Sequence, residues 1–191
     1  MQLILASQSP RRKELLGLFH MPFVVRVPDV DETINSRLLP AQEVARISVA
    51  KAHTVPRQPD DIVIAADTIV VLDGRILGKP TDEADAVKML TALSGRDHQV
   101  MTGITVLREG RMLTRTEITD VHFRNLSQQE ILRYVATGEP MDKAGAYGIQ
   151  GGGALFAEKI HGDYFNVVGL PVCALWKMLR QIAPEIMEDA Q

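Results

Sequence analysis

The sequence predicts a mixed α/β fold whose sheet is parallel in one part and antiparallel in another. Short apolar runs that suit buried strands alternate with segments of helical periodicity, a pattern typical of α/β proteins. Two dipeptides indicate turns: Asp73-Gly74 is a hairpin turn signal after one strand, and Glu109-Gly110 lies between two predicted strands. The chain of 191 residues is 46% hydrophobic, so it can bury a core without disulfides or metals. We see no repeat or linker and expect one domain over residues 1–191.

The individual elements follow from local patterns along the chain. Apolar runs predict strands over residues 2–6, 23–27, 61–72, 98–107, 112–123 and 154–160. Helical spacing predicts helices over residues 10–18, after 40, from 81 to about 94, and over 127–135 and 172–182. Ser9 is a good N-cap for the first helix, with Pro10 at its first position. Residues 28–40 are predicted to be irregular, and an acidic tail from about 184 is expected to be frayed.

Charge and cysteine content exclude several classes of protein. The 21 Lys and Arg residues against 24 Asp and Glu residues give a net charge of -3, which argues against duplex nucleic-acid binding and polybasic membrane binding. No run approaches the ~20 apolar residues of a membrane span, and the N-terminal cations follow the apolar run, the wrong order for a secretory signal. We therefore expect a cytoplasmic protein. The single cysteine, Cys173, excludes a disulfide framework and is expected to be buried and inert.

Three consecutive cations, Arg11, Arg12 and Lys13, fall in the first turn of the first predicted helix. Cations are unfavourable at a helix N-terminus, where free N–H groups and the macrodipole favour anions. They become reasonable if a phosphate docks on this turn, with Ser7 and Ser9 adding hydroxyl donors. The alternative interpretation is a solvated charge run.

Asp67 interrupts an otherwise apolar strand and suggests a strand end or a bend that opens onto a cleft. A buried carboxylate needs a partner or a function, so Asp67 is either a metal ligand or general base, or a satisfied structural residue. Glu32 belongs to a small acidic cluster with Asp29 and Asp31. Because Mg²⁺ sites commonly use one or two carboxylates together with phosphates, Glu32 and Asp67 form a candidate metal pair.

A glycine-rich segment over residues 138–153 is the least ordinary part of the sequence. Its glycines permit close backbone approach, Lys143 adds a positive charge, and the amide of Gln150 could read the edge of a nucleobase. The alternative is a flexible loop. Lys79 lies in Gly78-Lys79-Pro80, which lacks the pattern of a phosphate-binding P-loop, so Lys79 is either an isolated phosphate contact or a solvated lysine.

A series of short motifs runs along nearly the whole chain: Ala6-Ser7-Gln8-Ser9-Pro10-Arg11-Arg12, Ala66-Asp67-Thr68, Gly78-Lys79-Pro80, Leu93-Ser94-Gly95, His98-Gln99-Val100-Met101-Thr102-Gly103, Gly138-Glu139-Pro140, Asp142 to Gly151, Gly162-Asp163-Tyr164 and Val168-Gly169-Leu170-Pro171. In their joint order, these motifs resemble those of the Maf-type nucleoside triphosphate pyrophosphatases. The resemblance implies a Maf and ITPase-like α/β fold of two lobes around a deep central cleft, and a homodimer.

The resemblance also implies an activity and the residues that carry it. The family hydrolyses a nucleoside triphosphate to the monophosphate and pyrophosphate with Mg²⁺ or Mn²⁺, and Asp67 matches its proton acceptor. Arg12, Thr68 and Gln150 match the positions that determine specificity, and this combination resembles the dTTP and UTP branch. The phosphates would be neutralised or bound by Ser7, Arg11, Arg12, Lys51, Lys79 and Lys143, and the metal held by Asp67 and Glu32.

Two alternatives stay open from the sequence. The same chemistry could act on modified pyrimidine nucleotides as a house-cleaning reaction. Maf-like proteins are also associated with septum formation in cell division, so a nucleotide-responsive regulator that acts by protein contact is a second hypothesis.

Overall fold

The computed structural model describes residues 1–187, and these form two compact units. The first unit contains residues 1–67, 102–117 and the chain from 169 onward, and the second contains residues 68–101 and 118–168. None of the helices in the described range is both long and apolar enough to cross a membrane.

Within residues 1–187, seven strands form a mixed sheet in the order β2-β1-β3-β5-β6-β7, with β4 paired to β3. Their bounds are β1 Leu3–Ala6, β2 Phe23–Arg26, β3 Ile62–Leu72, β4 Arg75–Leu77, β5 Asp97–Arg108, β6 Arg111–Phe123 and β7 Ala157–His161. Strand β1 pairs in parallel with β2 and β3, whereas β4 and β7 pair antiparallel with β3 and β6. The predicted mixed α/β class is confirmed.

The α-helices of the described range are α1 Pro10–Gly17, α2 Pro40–Thr54, α3 Glu83–Leu93, α4 Gln128–Val135, α5 Tyr164–Val168 and α6 Val172–Ile182. Ser9 caps α1 as predicted, and Ser127 forms a capping box with Glu130 at the start of α4. The short helix α5 was not predicted.

The core of the first unit lies where α2 packs on its strands. Ile4, Val63 and Leu107 contribute apolar side chains to a buried cluster with Ala52 of α2. The backbones approach closely at Gly103, because a Cβ there would lie 2.5 Å from the carbonyl oxygen of Val44. Glycine at position 103 therefore lets α2 seat against β5.

The second unit has an aromatic core. The ring of Phe123 meets those of His98, Tyr147 and Phe156 in edge-to-face arrangements, with centroids 4.7 to 5.9 Å apart. Edge-to-face pairs are favoured because ring edges are positive and ring faces negative. The Nε2 atom of His98 lies 2.8 Å from the Tyr147 hydroxyl oxygen, whereas its buried Nδ1 has no hydrogen-bond partner in the described residues.

The structure corrects several predictions. Strand β3 runs through Asp67 without a break, because the charge of this residue is balanced within the fold. A 3₁₀ turn, Gly152–Leu155, delays the start of β7 to Ala157. Cys173 is exposed, because it lies on the outer face of α6.

The tail from about 184 is helical at its start. Residues Pro184–Met187 form a 3₁₀ turn, and Glu185 pairs with Arg108, so this part is not frayed. The rest of the acidic tail, residues 188–191, lies outside the described residues.

Candidate active site

Helix α1 presents its cationic first turn directly after β1. The Ser9 side-chain oxygen accepts a hydrogen bond from the backbone N–H of Arg12 at 3.4 Å. The buried Ser7 hydroxyl oxygen accepts from the N–H of Ser9 at 3.1 Å, which places Ser7 at the entry to the helix. No acidic residue occupies the first turn. Hydroxyls, cations and the positive end of the helix dipole together suit a phosphate group.

Lys51 joins the two predicted acidic residues. Its Nζ atom lies 2.7 Å from Oδ1 of Asp67 and 2.9 Å from Oε1 of Glu32. The Lys51 and Asp67 side chains are only 7% and 10% exposed, whereas that of Glu32 is 52% exposed. Lys51 therefore balances the charge of the buried Asp67 carboxylate, as expected of a structural residue. Glu32 pairs with the same lysine.

The electrostatics of Arg12 connect the helix to this pair. Burial lowers the pKa of Arg12, the negative charge of Asp67 raises it, and the positive charge of Arg11 lowers it again. Its Nε donates to the carbonyl oxygen of Gly169 at 2.9 Å, which fixes the direction of the side chain. The first unit thus brings Arg11, Arg12, Lys51, Glu32 and Asp67 into one mixed-charge cluster.

Sequence reasoning missed Glu43, the residue that holds the loop containing Glu32. The fully buried carboxylate of Glu43 accepts from the backbone N–H of Asn35 at 2.9 Å and from Arg46 at 2.7 and 2.9 Å. Arg46 also donates to the carbonyl oxygen of Thr33 at 3.1 Å, next to Glu32. The i, i+3 spacing of Glu43 and Arg46 on α2 was the only signal in the sequence, and it is common on exposed helices.

In the second unit, the glycine-rich segment packs against β3 beside Thr68. Thr68 and Val70 are two residues apart in this strand and therefore lie on the same face. A Cβ at Gly145 would lie 2.8 Å from the Val70 side chain, and the φ of +68° at this position is one that glycine adopts readily. The N–H of Gly145 donates to the carbonyl of Gly78 at 3.0 Å, which ties the segment to the residue before Lys79.

Gln150 lies exposed in a tight turn. The N–H of Gly151 donates to the carbonyl oxygen of Gly148 at 3.2 Å and closes the turn, while neighbouring Ile149 is buried. An exposed amide on an anchored turn can meet the edge of a ligand without first ordering a loop. The segment is therefore structured rather than flexible.

The two predicted lysines of this unit differ in their surroundings. Lys79 is exposed. Lys143 donates from Nζ to the carbonyl oxygen of Glu139 at 2.7 Å and to Asp142 at 2.6 Å, so its charge is used within the segment. Phosphate binding by either lysine stays a prediction.

No group of three or more His, Cys, Asp or Glu side chains suited to a metal ion occurs in residues 1–187. The donor set of Glu32 and Asp67 consists of two carboxylates that already converge on a cation. That set fits a hard divalent ion of the Mg²⁺ type, which takes only one or two carboxylates when phosphates complete its coordination.

Comparison with solved structures defines the class of fold. A HAM1 protein from Coxiella burnetii is similar over 95% of this chain and 99% of its own, with a TM-score of 0.51 and 17% identity. At this identity the likeness shows the fold alone: the protein has an α/β fold similar to that of this HAM1 protein.

Sequence comparison then gives the family. The chain matches the family described as Maf-like protein over residues 2–182, and it belongs to the Maf family. A Bacillus pumilus protein named dTTP/UTP pyrophosphatase is 54% identical over 179 residues, 93% of this chain and 95% of its own length. A Symbiobacterium thermophilum protein of the same name is 55% identical over 181 residues, 94% of this chain and 93% of its own.

Proposed function

We propose that this protein is a nucleoside triphosphate pyrophosphatase that hydrolyses dTTP and UTP to the monophosphate and pyrophosphate. The observation that carries the proposal is the mixed-charge cluster of the first unit, in which Lys51 joins Asp67 and Glu32 beside the cationic turn of α1. The names and the high identity of the two relatives support the same reaction and the same pyrimidine substrates.

Cleavage between the α and β phosphates requires charge neutralisation and a water placed in line with the leaving pyrophosphate. We assign phosphate binding to Ser7, Arg11, Arg12 and Lys51, with Lys79 and Lys143 as further cations. A divalent ion, Mg²⁺ or Mn²⁺, would be held by Asp67 and Glu32 and would neutralise phosphate oxygens. Asp67 is also the residue that would accept a proton from the attacking water. Thr68, Gln150 and Arg12 would select the base.

The proposal is tested by incubating the protein with Mg²⁺ or Mn²⁺ and a panel of nucleoside triphosphates. We expect pyrophosphate from dTTP and UTP and little from the others. Release of orthophosphate alone, or no turnover with any nucleotide, would refute it. Adding 5-methyl-UTP and pseudouridine triphosphate to the panel tests whether modified pyrimidines are preferred.

Replacing the central carboxylate tests its role. Asp67→Asn should lower kcat about 10²- to 10⁴-fold, the usual contribution of general base catalysis. Asp73→Asn, which changes an exposed turn residue, should keep wild-type kcat and serves as the control. An Asp67→Asn variant that retains wild-type kcat removes the residue from the mechanism.

The two roles of Asp67 can be separated by varying the metal concentration. If the two carboxylates hold the metal, Glu32→Gln raises the Mn²⁺ concentration needed for half-maximal activity. If Asp67 acts as the base, its replacement instead lowers kcat even at saturating Mn²⁺. An unchanged Mn²⁺ requirement in Glu32→Gln would exclude Glu32 as a ligand.

We further infer a cytoplasmic homodimer that binds neither nucleic acid nor membranes and in which residues 1–191 act as one domain. The support is the net charge of -3 and the family membership. Light scattering in solution checks the dimer, and a single cooperative unfolding transition checks the single domain.

A further inference from the structure

The glycine-rich segment closes around one carboxylate, that of Glu139. Its Oε1 accepts a hydrogen bond from the Tyr134 hydroxyl at 2.9 Å, and its Oε2 accepts from the backbone N–H of Gly152 at 3.0 Å. The Tyr134 oxygen in turn accepts from the N–H of Gly148 at 3.0 Å. Glu139 and Tyr134 therefore hold the backbone two residues before and two residues after Gln150.

The glycines of this segment are explained by the same two side chains. A Cβ at Gly148 would lie 3.1 Å from Oε1 of Glu139, and one at Gly151 would overlap the Glu139 carboxylate. At Gly152 it would lie 3.0 Å from the Tyr134 ring. The backbone thus wraps the Glu139 carboxylate and the Tyr134 ring at a distance that only glycine permits.

Tyr134 is held as a hydrogen-bond donor. Its side chain is buried, and its ring packs edge-on against Phe156 with centroids 4.9 Å apart. Burial raises the pKa of Tyr134, the N–H of Gly148 lowers it, and the Glu139 carboxylate raises it. The hydroxyl stays protonated at neutral pH and donates to the carboxylate, a charge-assisted bond of the stronger kind.

We propose that Glu139 and Tyr134 are positioning residues that fix the turn carrying Gln150 and thereby set the base selectivity of the reaction. The inference rests on the proposed function, because it assumes that Gln150 reads the pyrimidine. Uracil and thymine present an acceptor at C4 and a donor at N3, whereas cytosine presents the reverse. An amide can match either pattern unless its placement is fixed.

The conservative change Glu139→Gln alters the hydrogen bonds that hold the turn but keeps the volume of the side chain. The carboxylate accepts two hydrogen bonds, one on each oxygen, and its charge strengthens both, whereas the neutral amide accepts through a single oxygen and turns an NH₂ group toward either Tyr134 or the N–H of Gly152. The turn is therefore held less tightly while the volume is kept. Tyr134→Phe removes one anchor, the hydroxyl, and keeps the ring packed on Phe156.

The measurement is kcat/KM for dTTP, UTP and CTP. We expect both variants to lose about tenfold in the ratio of dTTP to CTP, the effect of one misplaced hydrogen bond, mainly through a higher KM for dTTP. This ratio does not depend on how much of the enzyme is folded, so a purely structural role would leave it unchanged. Glu158→Gln and Tyr164→Phe, at more exposed positions of the same unit, are the matched controls and should keep the wild-type ratio.

A double-mutant cycle makes the test decisive. If Glu139 acts through Gln150, adding Glu139→Gln to Gln150→Ala should leave the ratio where Gln150→Ala alone puts it. Independent, multiplicative losses would overturn the proposal, as would wild-type ratios in both single variants. A wild-type protein that hydrolyses none of the three nucleotides would instead refute the proposed function.

Discussion

The buried histidine of the second unit should make the protein lose stability in mild acid. Burial lowers the pKa of His98 from 6.5 to about 4, while nearby Asp97 opposes the shift. The unfolded chain therefore binds a proton as the pH falls below 6.5, whereas the native protein does not until about 4. The stability that His98 contributes is therefore present above pH 6.5, the pKa in the unfolded chain, and is lost between pH 6.5 and about 4 as the pH falls.

The size of the effect follows from the two pKa values. One pKa unit corresponds to about 1.4 kcal/mol, so the difference between the unfolded and native pKa values of His98 corresponds to about 3 kcal/mol of stability. About 2.5 kcal/mol of this is lost by about pH 4.5. Urea unfolding of wild type and His98→Gln at about pH 7.5 and about pH 4.5 measures the difference. His53→Gln, at an exposed position of α2, is the control.

The comparison uses the change with pH in each protein, so any loss in His98→Gln at neutral pH cancels. We expect wild type and His53→Gln to lose about 2.5 kcal/mol more than His98→Gln between the two conditions. Equal losses in all three proteins would refute the assignment of this acid sensitivity to His98.

Two further predictions concern stability. Gly103→Ala should lower the free energy of unfolding by about 1–3 kcal/mol, because the new Cβ would collide with the backbone of Val44. Gly17→Ala, at the end of α1 with open space around it, is the control and should not lower it. Equal urea midpoints for the two variants would contradict this prediction. Ser127→Ala removes the capping box of α4 and should cost about 1 kcal/mol, and an unchanged thermal midpoint would show that the cap contributes nothing.

Local patterns were sufficient to predict most of the fold. Strand β1, helix α1 with its Ser9 cap and helix α6 came directly from periodicity and capping, which act over a few residues. The prediction that Asp67 breaks its strand was wrong, because the partner that stabilises it, Lys51, lies 16 residues away and no local rule reveals the pair. The exposure of Cys173 was missed for a similar reason: the apolar run does not show which side of α6 faces outward.

The sequence predicted which residues belong to the candidate site, but not which of them contact one another. The sequence indicated Glu32 and Asp67 as a pair and Lys51 as a cation, and the structure joins all three. It assigned no role to Glu43 or Glu139, which hold the loops that carry Glu32 and Gln150. Both act through hydrogen bonds to backbone N–H groups 8 and 13 residues away, and such bonds leave no periodic trace in a sequence.

The contact between Phe19 and Trp176 has a practical consequence. The only tryptophan, Trp176, lies with its ring 5.7 Å from that of Phe19, just beyond the end of α1, and the only cysteine, the exposed Cys173, is one helical turn away on α6. The unmodified chain thus contains a single tryptophan and a single site for a thiol-reactive dye, and the tryptophan contacts Phe19 just beyond the end of the helix that carries the arginines. Occupancy of that helix can be followed optically in solution without engineering a probe.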